Sequence, residues 1–70
     1  MYTLTNVDTN NKMQVIEYVV WAITDYGENH DTSTDFMIDN FMDSALALTE
    51  VESVLKLAVK TLAKLNKNNY

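Results

Sequence analysis

The sequence predicts an all-α fold, a compact three-helix bundle with a short N-terminal arm. Three segments repeat apolar residues at helical spacing, which is the main sequence signal for amphipathic helices. The chain also has one glycine and no proline, so short connections between the helices are expected. The predicted boundaries are an arm at 1–10 and helices at 11–26, 34–47 and 50–66, in one domain of 70 residues.

The first predicted helix is the one that the rest of the chain has to cover. At about 100° per residue, its apolar side chains occupy more than half of the helix surface. They are Met13, Val15, Ile16, Tyr18, Val19, Val20, Ala22, Ile23 and Tyr26. The remaining strip is polar, with Trp21 in its middle, and consists of Gln14, Glu17, Thr24 and Asp25. Such a helix needs at least two partners.

An α+β fold is the alternative. In the segment from Tyr2 to Val7, apolar and polar residues alternate loosely. This segment would pair in a β-hairpin with a strand that begins near Met13, and the rest of the chain would form two helices. The helix is preferred because the polar positions of the segment recur at the helical period and not at every second residue.

Local signals mark where the helices begin and end. The run Asp8–Asn11 predicts a turn or a helix cap, since Asp and Asn side chains accept hydrogen bonds from nearby backbone amides. Gly27 is expected to end the first helix in a left-handed conformation. Thr32 or Thr34 is expected to cap the second helix, and the run Thr49–Glu52 predicts a capping box before the third.

The second and third helices each have one apolar face. In the second helix this face consists of Met37, Ile38, Phe41, Met42, Ala45 and Leu48. In the third it is a narrower stripe of Val51, Val54, Leu55, Ala58, Leu62 and Leu65. Residues 66–70 are expected to form a frayed tail.

Composition excludes several function classes. The net charge is −5, and without arginine the chain lacks the side chain that best recognises phosphate and guanine, so direct nucleic-acid binding is not expected. Without cysteine, and with no leader-like N-terminus or apolar run long enough for a membrane span, a cytoplasmic location is expected. The charge is distributed unevenly along the chain. The segment from Asp8 to Glu52 contains ten acidic residues and one lysine, a net charge of −9, and the rest of the chain has a net charge of +4.

Chemical motifs are lacking as well. A single histidine, His30, and no cysteine predict neither a metal site nor a nucleophile, and no cofactor or enzymatic activity is expected. The segment from Asp31 resembles the start of an EF-hand calcium loop, but Phe36 stands where the loop needs glycine and Met42 where it needs glutamate.

Four aspartates at four-residue spacing form the most unusual pattern: Asp31, Asp35, Asp39 and Asp43. Like charges at this spacing destabilise a helix slightly, so the pattern has a cost. On a helical projection, Asp39 and Asp43 point away from the core, and the lysines of the third helix also point away from the core. The stripe is interpreted either as a solvated face that keeps the protein soluble or as a docking face for a basic protein surface.

Trp21 is the best single candidate for a contact residue, because tryptophan is enriched in interface hot spots. Phe36 is placed with it in one exposed patch. The competing expectation, slightly favoured, is that the third helix or the arm buries Trp21, since small domains need large side chains inside.

The leading hypothesis is a protein-interaction module that binds, and inhibits, a larger protein with a basic surface through Trp21, Asp31, Asp35, Phe36, Asp39 and Asp43. In general character a short, acidic, cysteine-free chain is similar to many small accessory proteins of bacteriophages. A host nucleic-acid or defence enzyme is the expected target, since the working surfaces of such enzymes are basic, and nucleic-acid mimicry by carboxylates spaced along a helix is one mode. The alternative is a homo-oligomeric structural or assembly protein in which a second copy completes the first helix.

Overall fold

Three α-helices make up the fold. The computed structural model describes residues 7–67, and their side chains up to residue 65. Helix α1 is Lys12–Asn29, α2 is Asp35–Ala47 and α3 is Val51–Lys67, and no strand occurs within the described range. The predicted all-α three-helix fold is therefore confirmed, and the alternative prediction of a strand near Met13 is wrong. The predicted arm, apart from residues 7–10, and the last three residues of the predicted tail lie outside the described residues.

The helices run up, down and up. The Lys12 side chain at the start of α1 reaches carbonyl oxygens at the end of α2, so these two helices are antiparallel. At the other end, Tyr26, Met37 and Leu65 line one depression, which places the end of α3 beside the end of α1. Helix α1 contacts both other helices and packs most extensively against α3.

The core is centred on α1, as predicted. Its residues Val15, Ile16, Val19 and Ile23 are at most 2% exposed. From the other helices the buried apolar residues are Phe41, Ala45, Val54, Ala58 and Leu65. The remaining members of the two predicted apolar faces are partly buried against this cluster. Two neighbours thus cover the apolar face of α1 within one chain.

Thr61 is a buried residue that the apolar pattern did not include. It is 7% exposed, and its hydroxyl donates to the Leu57 carbonyl oxygen at 2.9 Å. A hydroxyl bonded to the preceding turn of its own helix can enter an apolar interior without an unpaired polar group. For this reason a threonine occupies the stripe between Ala58 and Leu65.

The start of α1 is fixed by the predicted polar cluster. The Asn11 side chain accepts hydrogen bonds from the Met13 and Gln14 backbone amides at 3.1 and 3.2 Å, so Asn11 is the N-cap. Lys12, the one lysine among the first 52 residues, donates to the carbonyl oxygens of Leu46, at 3.2 Å, and Leu48. A cation at these carbonyls interacts favourably with the negative end of the α2 dipole.

The predicted end of α1 is wrong. Helix α1 continues through Gly27, which is buried and has no positive φ, and ends at Asn29. The left-handed residue is Asp31, with φ of 50°, and the Thr32 amide donates to the Gly27 carbonyl oxygen at 3.0 Å. This six-to-one bond across a left-handed residue is the Schellman arrangement. Aspartate occupies that conformation more readily than most residues do.

The other two helix starts differ from the predictions in detail. Thr34 is the N-cap of α2, but its side chain makes no capping hydrogen bond. Helix α3 begins at Val51, and the Glu50 carbonyl oxygen accepts from the Ser53 and Val54 amides. Glu50 rather than Thr49 therefore directly precedes the first helical residue, one position later than the predicted capping box requires.

Candidate functional site

The four aspartates are all exposed, but only three of them share a helix face. Asp35, Asp39 and Asp43 lie on α2, whereas Asp31 lies in the turn that precedes it. The rise of a helix places the carboxylate-bearing residues of α2 about 6 Å apart along its axis. The outward projection predicted for this stripe is confirmed by its exposure.

A depression at the α1–α2 turn brings acids from both helices together. Its volume is about 400 Å³, and its acidic members are Glu28, Asp31 and Asp35. The rest of its lining is small or hydroxyl-bearing: Thr24, Gly27, Thr32, Ser33 and Thr34. The aspartates of α2 thus continue into the end of α1 as one acidic surface. We use "acidic surface" for Glu28, Asp31, Asp35, Asp39 and Asp43.

Glu28 is the member of this surface that the sequence interpretation missed. With α1 predicted to end at residue 26, Glu28 was assigned to a loop. In the structure it is exposed on the last turn of α1. No local signal could have revealed it, because a glycine after an apolar stretch is compatible both with a helix end and with a helix that continues under a closely packed turn.

Trp21 lies on the outer face of α1. It is 57% exposed, and it stands two residues from both Val19 and Ile23, about 160° around the helix from these buried residues. The expected burial of Trp21 is therefore wrong, because the first helix is covered on its opposite side. Glu28, seven residues later, falls on nearly the same line along α1. The outer face of α1 thus leads from Trp21 towards the acidic surface.

Phe36 is exposed, as predicted, but on another side of the molecule. It is 80% exposed and lines a groove between α2 and α3. The described lining of that groove includes no residue of α1. The predicted patch that combines Trp21 with Phe36 is therefore not formed.

The lysines of α3 occupy a separate surface. Lys56, Lys60 and Lys64 are exposed, and Lys64 lines the α2–α3 groove beside Phe36. Acids thus dominate the described parts of α1 and α2, whereas lysines dominate the outside of α3. The charge asymmetry of the sequence appears in the structure as two differently charged sides.

His30 has a structural role at the end of α1. Its backbone amide donates to the Tyr26 carbonyl oxygen at 3.0 Å, and its ring Nδ1 lies 2.9 Å from the same oxygen. The ring stacks on Tyr26, with 4.0 Å between the ring centroids. These contacts place the imidazole against its own helix, although the residue is exposed.

Asp31 combines a strained backbone with a carboxylate, and the two can be tested separately. Asp31→Gly is expected to raise the free energy of unfolding by about 0.5–1 kcal/mol, because glycine adopts positive φ without the steric cost that other residues have. Asp31→Asn removes the same charge but keeps a side chain, so we expect little change. Urea unfolding measures both, and a less stable Asp31→Gly variant would contradict the described turn.

Across residues 7–65, the His, Asp and Glu side chains form no group of three or more that could hold a metal ion. None of the three helices is long and apolar enough to cross a lipid bilayer. A search with protein-family models, a search of curated proteins and a search of solved structures each find no match to the chain.

Proposed function

We propose that this protein binds a larger protein with a basic surface, and blocks that surface, through the acidic surface and the adjoining Trp21. The observation that carries the proposal is the depression in which Glu28, Asp31 and Asp35 converge from the end of α1, the turn and the start of α2. It joins acids from three segments into one surface. Complementary charge across an interface accelerates encounter and selects partners.

Trp21 supplies the apolar contact that the acidic surface lacks. Charges at the rim of an interface contribute little affinity, whereas a desolvated tryptophan is among the residues that contribute most. Trp21 and Glu28 lie on nearly one line of α1, so a partner can contact both. A host nucleic-acid or defence enzyme is the proposed class of target, since the working surfaces of such enzymes are basic.

Nucleic-acid mimicry is the proposed mode of inhibition. Carboxylates recur about every 6 Å along α2, and Lys and Arg side chains that bind phosphates also bind carboxylates. Binding of this kind weakens steeply with salt. Added DNA is then expected to compete with the protein for its target.

Affinity capture with charge-reversed variants tests the proposal. Immobilised wild type is expected to capture a basic protein from a lysate of the source cells. The triple variant Asp35→Lys/Asp39→Lys/Asp43→Lys is expected to lose it. The matched control Asp8→Lys/Glu50→Lys/Glu52→Lys has the same net charge and also alters one acid in a first helical turn, and it is expected to retain the target. Equal capture at low salt by a folded triple variant would refute the acidic surface.

The alternative hypothesis, a homo-oligomer completed at the first helix, receives less support from the packing. The most apolar positions of α1 are already covered by α2 and α3 within one chain. Self-association through α1 therefore has no large unburied core face to use.

A further inference from the structure

Three polar side chains surround Trp21 on the outer face of α1. Glu17 lies one turn before it, and Thr24 and Asp25 lie one turn after it, each within about 60° around the helix. Glu17 and Thr24 are exposed, and Asp25 is half-buried. The fourth side chain at this distance, Tyr18, packs against the core. We use "indole patch" for Glu17, Trp21, Thr24 and Asp25.

Each polar member of the indole patch offers hydrogen-bond acceptors to an approaching molecule. The carboxylates of Glu17 and Asp25 only accept. The Thr24 hydroxyl donates its one proton to the Val20 carbonyl oxygen at 2.8 Å, so it can only accept from a further molecule. The Asn29 side-chain amide donates to the Asp25 carboxylate at 3.2 Å, and this neutral donor orients the carboxylate without cancelling its charge. The indole ring is therefore bordered by acceptors and by negative charge.

The one lysine of α1 lies on the opposite side of the helix. Lys12 is nine residues before Trp21, which corresponds to about 180° around the helix axis. Its ammonium group donates to the carbonyl oxygens of Leu46 and Leu48 at the end of α2. The negative charge of the indole patch is therefore not neutralised by a lysine of its own helix.

We propose that the indole patch binds an arginine side chain of the basic target protein, with the guanidinium plane over the indole ring. This inference rests on the proposed function, because it names the target side chain that Trp21 contacts. Glu17 and Asp25 are each about 6 Å from Trp21 along the helix axis, so a guanidinium over the ring is within reach of a carboxylate on either side. The five N–H donors of a guanidinium, which has no acceptor, match a border of acceptors.

Charge and shape together select this occupant. The carboxylates beside the ring repel phosphate groups, which disfavours nucleic acid and anionic lipid. A second copy of the chain has lysines but no arginine. A lysine ammonium is compact and strongly hydrated and has no flat face, whereas a guanidinium is planar, weakly hydrated and stacks on aromatic rings. An arginine from a different protein therefore fits the indole patch best.

Peptide titrations followed by NMR at low ionic strength test the proposal. Trp21 is the only tryptophan of the chain, so its indole N–H gives a signal of its own. The probes are two short peptides of equal length and charge, in which glycine alternates with arginine in one and with lysine in the other. The arginine peptide is expected to shift the indole signal and to bind about two- to fivefold more tightly, the usual contribution of an exposed cation–π contact.

Two variants separate the ring from the carboxylates. Trp21→Leu removes the aromatic face and is expected to bind both peptides with the same affinity, followed through the backbone amides of α1. Glu17→Gln/Asp25→Asn keeps the shapes of both side chains and is expected to weaken binding of the arginine peptide about threefold or more, since two exposed ion pairs are lost. The matched control Glu50→Gln/Glu52→Gln removes two charges at the start of α3 and is expected to keep both the arginine preference and the indole shift.

Two results overturn the proposal. One is equal affinity of wild type for the two peptides. The other is an arginine preference that persists in Trp21→Leu, because the arginine would then bind elsewhere on the molecule. Circular dichroism of each variant confirms that it is folded.

This inference and the proposed function can fail separately. A wild type without arginine preference that captures a basic target, and loses it in Asp35→Lys/Asp39→Lys/Asp43→Lys, would refute only the arginine contact. A preference for arginine that depends on Trp21, in a protein that captures no basic target, would leave the indole patch as an arginine site and refute the proposed function.

Discussion

Ile23→Ala is expected to lower the free energy of unfolding by about 2–5 kcal/mol, the usual cost of truncating a buried isoleucine to alanine. Ile23 is 0% exposed and belongs to the cluster that joins all three helices. A chain of 70 residues has a total stability of roughly 3.5–10 kcal/mol at typical values per residue. The loss is therefore at least about a fifth of the total stability, and the variant should unfold at a clearly lower temperature and urea concentration than wild type.

Two milder substitutions control for this effect. Ile23→Val removes one methyl group and is expected to cost about 0.5–1.5 kcal/mol, leaving a folded protein. Val59→Ala truncates a residue of α3 that is 68% exposed, and surface changes of this kind usually stay within about 0.5 kcal/mol. If Ile23→Ala melts like Val59→Ala, the position of Ile23 in the core is wrong.

Gly27→Ala is expected to destabilise the protein by about 1–3 kcal/mol, although alanine is the better helix former by about 1 kcal/mol. A Cβ at this position would lie 2.9 Å from the Thr32 carbonyl oxygen and 3.0 Å from both Cγ2 and Oγ1 of Thr34. The backbone oxygen cannot move aside as a flexible side chain can, since the Thr32 amide is bonded to the Gly27 carbonyl. Glycine is therefore required here for space.

The controls for Gly27→Ala separate space from helix propensity. Glu28→Ala changes the next, exposed residue of the same helix and should have little effect or stabilise slightly. Adding Thr34→Ala to Gly27→Ala removes the methyl and hydroxyl contacts but leaves the backbone oxygen, so partial rescue is expected. A Gly27→Ala variant that is more stable than wild type in urea would contradict the close approach of the turn.

Periodicity was sufficient to predict the fold. The polar positions of residues 13–26 recur with the helical period, and no pairing of strands buries such a pattern. The need for two partners followed from the extent of the apolar face, and the structure places α2 and α3 against it. The outward direction of Asp39 and Asp43 followed from the same period. Each is two residues from the buried Phe41, and two residues correspond to a rotation of about 160° around the helix.

The end of α1 could not be predicted in this way. A glycine after an apolar stretch indicates either a left-handed helix end or a close approach by another segment, and these two roles have the same local signature. What distinguishes them is the position of Thr32 and Thr34, which depends on the path of the chain after the helix. Because the end of α1 was predicted at residue 26, Glu28 was not recognised as a helix residue, and the link between α1 and the acidic surface was missed.

The exposure of Trp21 was missed for a related reason. Size alone favours burial of a tryptophan in a small domain, but position on the helix overrides size here. Trp21 lies about 160° from Val19 and Ile23, so it cannot face the helices that cover them. The polar side chains that surround Trp21 on the helix surface, among them Glu17, Thr24 and Asp25, were the better indicator. The separation of Trp21 from Phe36, in contrast, depends on how α2 and α3 pack and has no signal in the sequence.

Amide hydrogen exchange in the native protein tests most directly the central claim that α1, covered on two sides, holds the bundle together and leaves the carboxylates outside. The slowest-exchanging amides are expected between Val15 and Ile23, where opening requires loss of contacts with both other helices. Exchange of these amides as fast as that of the helix ends, or their slow exchange in a β-sheet pattern, would contradict the claim.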